Sequence, residues 1–169
     1  ITINHKYMKK IILSFLPLLL FCGCADSDSK NSPIMKIVGV YIVGDEDKVN
    51  YANNYSQMPA LKKGDKVDIG LELYGNGNDL RSFIVQNDEH KVKTGLFFQM
   101  DEISKEFSDI NELVFIDGIA ETSLAVKAEI LKDEDGEQKI SLFLNSKGID
   151  SEGAHIDFPI KTQMLESPQ

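Results

Sequence analysis

The sequence predicts an all-β fold, an antiparallel sandwich of about seven to nine strands with one short helix. Three observations predict it. Apolar and polar residues alternate over several short stretches. Turn-forming clusters of Gly, Asn and Asp recur at spacings of about ten residues. Apolar residues at helical spacing are confined to one segment, 101–110.

In chain order, Ile34 to Val43 (IMKIVGVYIV) is apolar on both alternations, as in a strand covered on both faces. Gly44-Asp45-Glu46-Asp47 ends it. Residues 48–60 follow no period and are rich in Asn, Tyr and Ser, which predicts a long loop. Val67, Ile69, Leu71 and Leu73 then alternate with Asp68, Gly70, Glu72 and Tyr74, a half-buried strand. Gly75-Asn76-Gly77-Asn78-Asp79 accepts positive φ at little cost, so a hairpin to the strand Leu80–Gln86 is expected. After Asn87-Asp88-Glu89 the alternation resumes at Val92, Thr94, Leu96 and Phe98.

Met100, Ile103, Phe107 and Ile110 are spaced three, four and three apart, and Asp101 could cap the helix they imply. Leu113–Ile116 is a short strand. In 121–131, Leu124, Val126, Ala128 and Ile130 face one way. Asp133-Glu134-Asp135-Gly136 is expected as a hairpin tip leading to Gln138–Asn145. In the last strand, His155 to Lys161, Pro159 cannot donate a ladder hydrogen bond and marks an edge. Short strands joined by tight turns favour an immunoglobulin-like sandwich. With no tryptophan and no internal cysteine pair, it is not the antibody type.

The first two dozen residues carry a different message. Lys9 and Lys10 precede an apolar run, Ile11 to Phe21, that ends at Cys22-Gly23-Cys24. The run has eleven residues and contains Pro17. A spanning helix needs about twenty residues, and a mid-helix proline costs about 3 kcal/mol. A basic head, a short apolar middle and a small-residue cut point describe a secretory leader starting at Met8, with residues 1–7 upstream of it.

Phe21-Cys22-Gly23-Cys24 resembles the lipobox of bacterial lipoproteins. Gly23 and Cys24 fit it, while Phe21 stands where the family prefers leucine. The resemblance implies cleavage before Cys24, a diacylglycerol thioether on its sulfur and a further acyl chain, palmitate among the candidates, on its amine. Each buried methylene contributes about 0.8 kcal/mol, so two or three chains anchor firmly. Ala25-Asp26-Ser27-Asp28-Ser29 resembles the acidic export signal of Bacteroidetes-type lipoproteins, which implies outer-membrane anchoring and display at the cell surface. The same composition also suits a solvated spacer, and a periplasm-facing anchor is the alternative. The expected organisation is a leader at 1–23, a flexible tether at 24–33, a sandwich at 34–162 and a disordered tail at 163–169. At the level of pattern the whole resembles small sandwich lipoproteins of unknown function.

Composition bounds function. Removing residues 1–23 takes Lys6, Lys9 and Lys10 and no acid, leaving 15 Lys+Arg against 27 Asp+Glu, a formal charge of −12. That argues against a nucleic-acid partner, which needs phosphates neutralised. With Cys22 removed and Cys24 acylated, the folded part has no thiol for catalysis, disulfides or metal. Only His90 and His155 follow the leader, and no G-x-S-x-G or H-E-x-x-H occurs, so no catalytic residue is expected.

Two features could bind ligands. Asp45 and Asp47, and likewise Asp133 and Asp135, sit on acidic tips that could offer oxygens to calcium, although such carboxylates mostly point into water. No other cofactor is expected. In the loop, Tyr51, Asn53, Asn54 and Tyr55, with Asn50 and Gln57 beside them, combine flat rings with amides that could bind a glycan or peptide. Alternatively, the tyrosines pack under the loop. The functional expectation is a non-catalytic, lipid-anchored module that binds a glycan or another envelope protein. The competing expectation is an adhesin-type subunit assembling through a strand edge.

Overall fold

The computed structural model describes residues 32–148 and 153–165. The chain forms β1 (Ile34–Ile42), β2 (Lys66–Tyr74), β3 (Leu80–Gln86), β4 (Val92–Phe97), β5 (Glu112–Val114), β6 (Glu121–Ile130), β7 (Gly136–Ser146) and β8 (Ala154–Thr162). They build two four-stranded sheets, ordered β1-β2-β6-β4 and β5-β3-β7-β8, with every neighbouring pair antiparallel. The order has the immunoglobulin arrangement: β1, β2, β6 and β4 stand as A, B, E and D, and β3, β7 and β8 as C, F and G.

The alternation along each strand builds the core. Val67, Ile69, Leu71 and Leu73 of β2 and Leu124, Val126, Ala128 and Ile130 of β6 point inward. They meet Phe83 and Val85 of β3, Ile140, Leu142 and Leu144 of β7, and Phe158 and Ile160 of β8. Phe83 and Phe158 are wholly enclosed and supply the largest apolar areas.

Three expectations are corrected. First, β1 is an edge strand, paired among the described residues only with β2. Its second apolar alternation is exposed at Ile34, Val38 and Tyr41, and Val43 just beyond it is exposed too. Second, β2–β3 and β6–β7 are not hairpins. In both cases the chain leaves one sheet and enters the other. Asn76 and Gly77 do adopt positive φ, 52° and 95°, but the turn serves a crossing. Gly75 donates its N–H to the Ala120 carbonyl, and a Cβ there would lie 1.8 Å from the Asn78 carbonyl oxygen.

Third, residues 101–110 form no α-helix. One helix-like bond remains, Ser108 N–H to Ser104 O. The rest of the segment is bound to β5: Ser104 N–H donates to Val114 O, Val114 N–H donates to Ser108 Oγ, and Asp109 Oδ1 accepts from the amides of Asn111 and Glu112. Ser and Asp side chains offer backbone groups an alternative to helical pairing, and here the alternative wins. Of the four apolar residues at helical spacing, only Ile103 is buried. Phe107 is 67% and Ile110 75% exposed.

Register also fixes the two ends of the sandwich. Ile34 pairs with Tyr74 and Tyr74 with Glu121, so the chain enters at that end. Pro33 is buried there, and Ser32 O accepts from Asn76 Nδ2. Lys66, Glu129 and Lys93 lie at the opposite end, eight residues along β2. At about 3.3 Å per residue, the separation is roughly 26 Å.

Candidate functional site

Cys24 lies outside the described residues. The loop after β1 is described, and its tyrosines turn inward. Tyr51 and Tyr55 are half-buried against the core. The Tyr55 ring meets Phe158 edge-on at 5.1 Å, and burial pushes its phenol above the ordinary value. Asn53 and Asn54 stay exposed, with Asn54 Oδ1 accepting from Ser56 Oγ at 2.7 Å. A cleft of about 210 Å³ beside Tyr55 is lined by Met58, Glu137 and Pro159. The loop therefore acts as a satellite of the core more than as an open rim of aromatic rings.

Asn50 has a different task. Its Oδ1 accepts from Val40 N–H at 3.0 Å, its Nδ2 donates to Val38 O at 3.2 Å, and Tyr51 N–H donates to Val40 O at 2.9 Å. A side-chain amide thus stands in for a neighbouring strand along part of the free edge of β1, which blunts it.

The acidic tips are used within the chain. Asp45 Oδ1 accepts from Asp47 N–H at 3.1 Å. Asp133 Oδ1 accepts from Leu165 N–H at 2.6 Å and Asp135 Oδ1 from Met164 N–H at 2.9 Å, so residues 163–165 of the expected tail are held against the 133–135 tip. Among the described residues no group of three or more His, Cys, Asp or Glu side chains could hold a metal ion.

The outer face of the second sheet carries a constellation hidden from sequence. Asp157 accepts from Ser141 Oγ at 2.7 Å and Lys139 Nζ at 3.0 Å, and pairs with His155 Nε2 at 2.8 Å. These partners, the Ser141 hydrogen bond foremost, lower its pKa from 3.8 to about 2. The His155 ring stacks on Phe143 at 4.5 Å. The serine donates to the carboxylate and not to the imidazole, so the trio lacks the base-to-nucleophile link of a hydrolytic triad.

A trough lies on the outer face of the first sheet. It has a volume of about 300 Å³ and runs from Val43, just beyond β1, across β2 and β6 to β4. Register assembles it. Asp68 stands opposite Lys127, which stands opposite Gly95. One row further, Lys66 faces Glu129, which faces Lys93. Phe97 closes one side and is 53% exposed. The Lys127 ammonium sits 4.3 Å from the centre of that ring and 3.9 Å from Asp68 Oδ2. Lys66 and Glu129 are 3.6 Å apart. The period-2 alternation places each of these residues outward, but only long-range pairing brings them together. No local signal in the sequence marks them.

Residues 24–162 match a family model described as a domain of unknown function, DUF5035, and the chain belongs to that family. Among solved structures, it is similar to a conjugative transposon lipoprotein from Bacteroides eggerthii at 16% identity and a TM-score of 0.42, covering 61% of this chain and 91% of that one. It is also similar to BslA, a bacterial hydrophobin, at 10% identity and a TM-score of 0.38, covering 78% and 98% respectively. No curated protein matches the chain. No helix among the described residues is long and apolar enough to cross a membrane.

Proposed function

We propose that the chain is a lipid-anchored, non-catalytic binding module of a bacterial envelope, held on the outer membrane through Cys24 and displayed at the cell surface, with a glycan or another envelope protein as its partner. The observation that carries this reading is polarity of the fold. The chain enters at Ile34, close behind the expected anchor, and the trough's Lys66–Glu129–Lys93 row lies at the other end of the sheet. With a short tether, that end of the trough would be the part of the sheet farthest from the bilayer. The leader motif, and a family match that begins at Cys24, support the placement.

The test is intact-mass analysis of the mature protein from a Bacteroidetes host, with protease shaving of whole cells. An acylated amino terminus at Cys24, lost in Cys24→Ala, and a domain clipped from intact cells are expected. An unacylated terminus elsewhere would overturn the anchor, and full protection from protease would overturn the outward display.

A second reading draws on β1 lying at a sheet edge, the position a strand-exchanging subunit needs. In that case Asn50 is a removable guard.

A further inference from the structure

We propose that the trough across β2, β6 and β4, bounded by Val43 just beyond β1, binds an acidic saccharide, a sugar chain bearing carboxylates. This deepens the envelope-module reading and rests on it.

Four observations specify the ligand. The trough, at about 300 Å³, sits at the lower end of small-molecule sites, which run from about 300 to 1,000 Å³. It suits one or two sugar rings.

Its charge runs against that of the protein. Acids outnumber bases 27 to 18 in the whole sequence, yet the trough gathers Lys66, Lys93 and Lys127 against Asp68 and Glu129. Lys93 forms no ion pair among the described residues. The two pairs that do form, at 3.6 and 3.9 Å, are longer than the roughly 2.7–2.9 Å of a charge-assisted hydrogen bond. All three ammonium groups retain donors for an incoming anion.

Asp68 adds the opposite demand. Its Oδ1 is buried and accepts no hydrogen bond from the described residues. That oxygen is enclosed, but the side chain as a whole is 35% exposed, so its remaining oxygen, Oδ2, can accept from a ligand hydroxyl. A ligand offering only acid groups would be repelled there. Finally, Phe97 and Val43 are 53% and 51% exposed at the two sides of the trough. They offer apolar surface for the C–H faces of a sugar ring. An acid group, hydroxyl donors and an apolar face occur together in a uronic acid.

The test is calorimetric titration of the full chain in detergent micelles with trigalacturonic acid, maltotriose and a short poly-glutamate. Binding of the uronate alone is expected. Lys93→Gln, Asp68→Asn and Phe97→Ala should each weaken it by about tenfold, roughly 1.4 kcal/mol, with melting temperature close to that of the parent. Equal binding of poly-glutamate would show charge attraction alone and overturn the proposal. Binding unaffected by all three substitutions would overturn the trough as the site, and absence of uronate binding would overturn the ligand. None of these failures touches the Cys24 anchor, which is read by mass and by shaving.

Discussion

At the scale of single residues, Asp157 is the most strongly perturbed group among those described. Hydrogen bonds from Ser141 and then Lys139, with His155 adding to them, favour its charged form in the fold. A carboxyl whose folded pKa is lowered contributes stability that is complete above its unfolded value and is lost as pH falls toward its folded one. The window therefore runs from 3.8 down to about 2. Denaturant midpoints should fall across that window in the parent protein and change less in Asp157→Asn. Parallel pH profiles would show that the network makes no contribution to stability. Gly75 makes a steric prediction. Any Cβ there meets the Asn78 carbonyl at 1.8 Å, and that neighbour is backbone. Gly75→Ala should cost about 3 kcal/mol, at the upper end of ordinary single substitutions, read as a drop in unfolding free energy.

At the scale of elements, the edge of β1 makes the next prediction. Asn50→Ala removes the donor and acceptor that cover Val38 and Val40. A stability loss of about 2 kcal/mol is expected, two hydrogen bonds at a net worth of about 1 kcal/mol each. Concentration-dependent dimers in sedimentation should accompany it if the second reading holds, and a strictly monomeric variant would retire that reading. The same strand shows how far local pattern reaches. Val67–Leu73 was legible because one clean face means one buried face. Ile34–Val43 was not, because apolar residues on both alternations fit a central strand and an edge strand alike. The turn at 75–79 was legible as a turn, since Asn76 and Gly77 carry the positive φ that their residue types allow. Its role as a crossing was not, because β1 and β6 occupy both flanks of β2, and neither is its sequence neighbour in that direction. The helix expected at 101–110 failed for a local reason: Ser104, Ser108 and Asp109 bind the backbone of β5 and of their own turn.

At the scale of the whole molecule, sandwich architecture could be read from the number of alternating strands and the spacing of turns, while the trough could not. Lys66, Asp68, Lys93, Phe97 and Lys127 come from three strands dispersed over more than sixty positions, and each alone resembles an ordinary solvated residue. Their convergence is a property of register. The loop tyrosines show the converse, a cluster dense in sequence whose rings are largely engaged in packing.

The clasp of Asp133 and Asp135 on the amides of Leu165 and Met164 has a geometric corollary. Those aspartates follow β6 at the pole remote from Ile34, so backbone enters the sandwich at one pole and is fastened at the other. A fluorophore attached just past Leu165 would ride at the summit of a tethered domain. Its height above a supported bilayer would then report how upright the molecule stands.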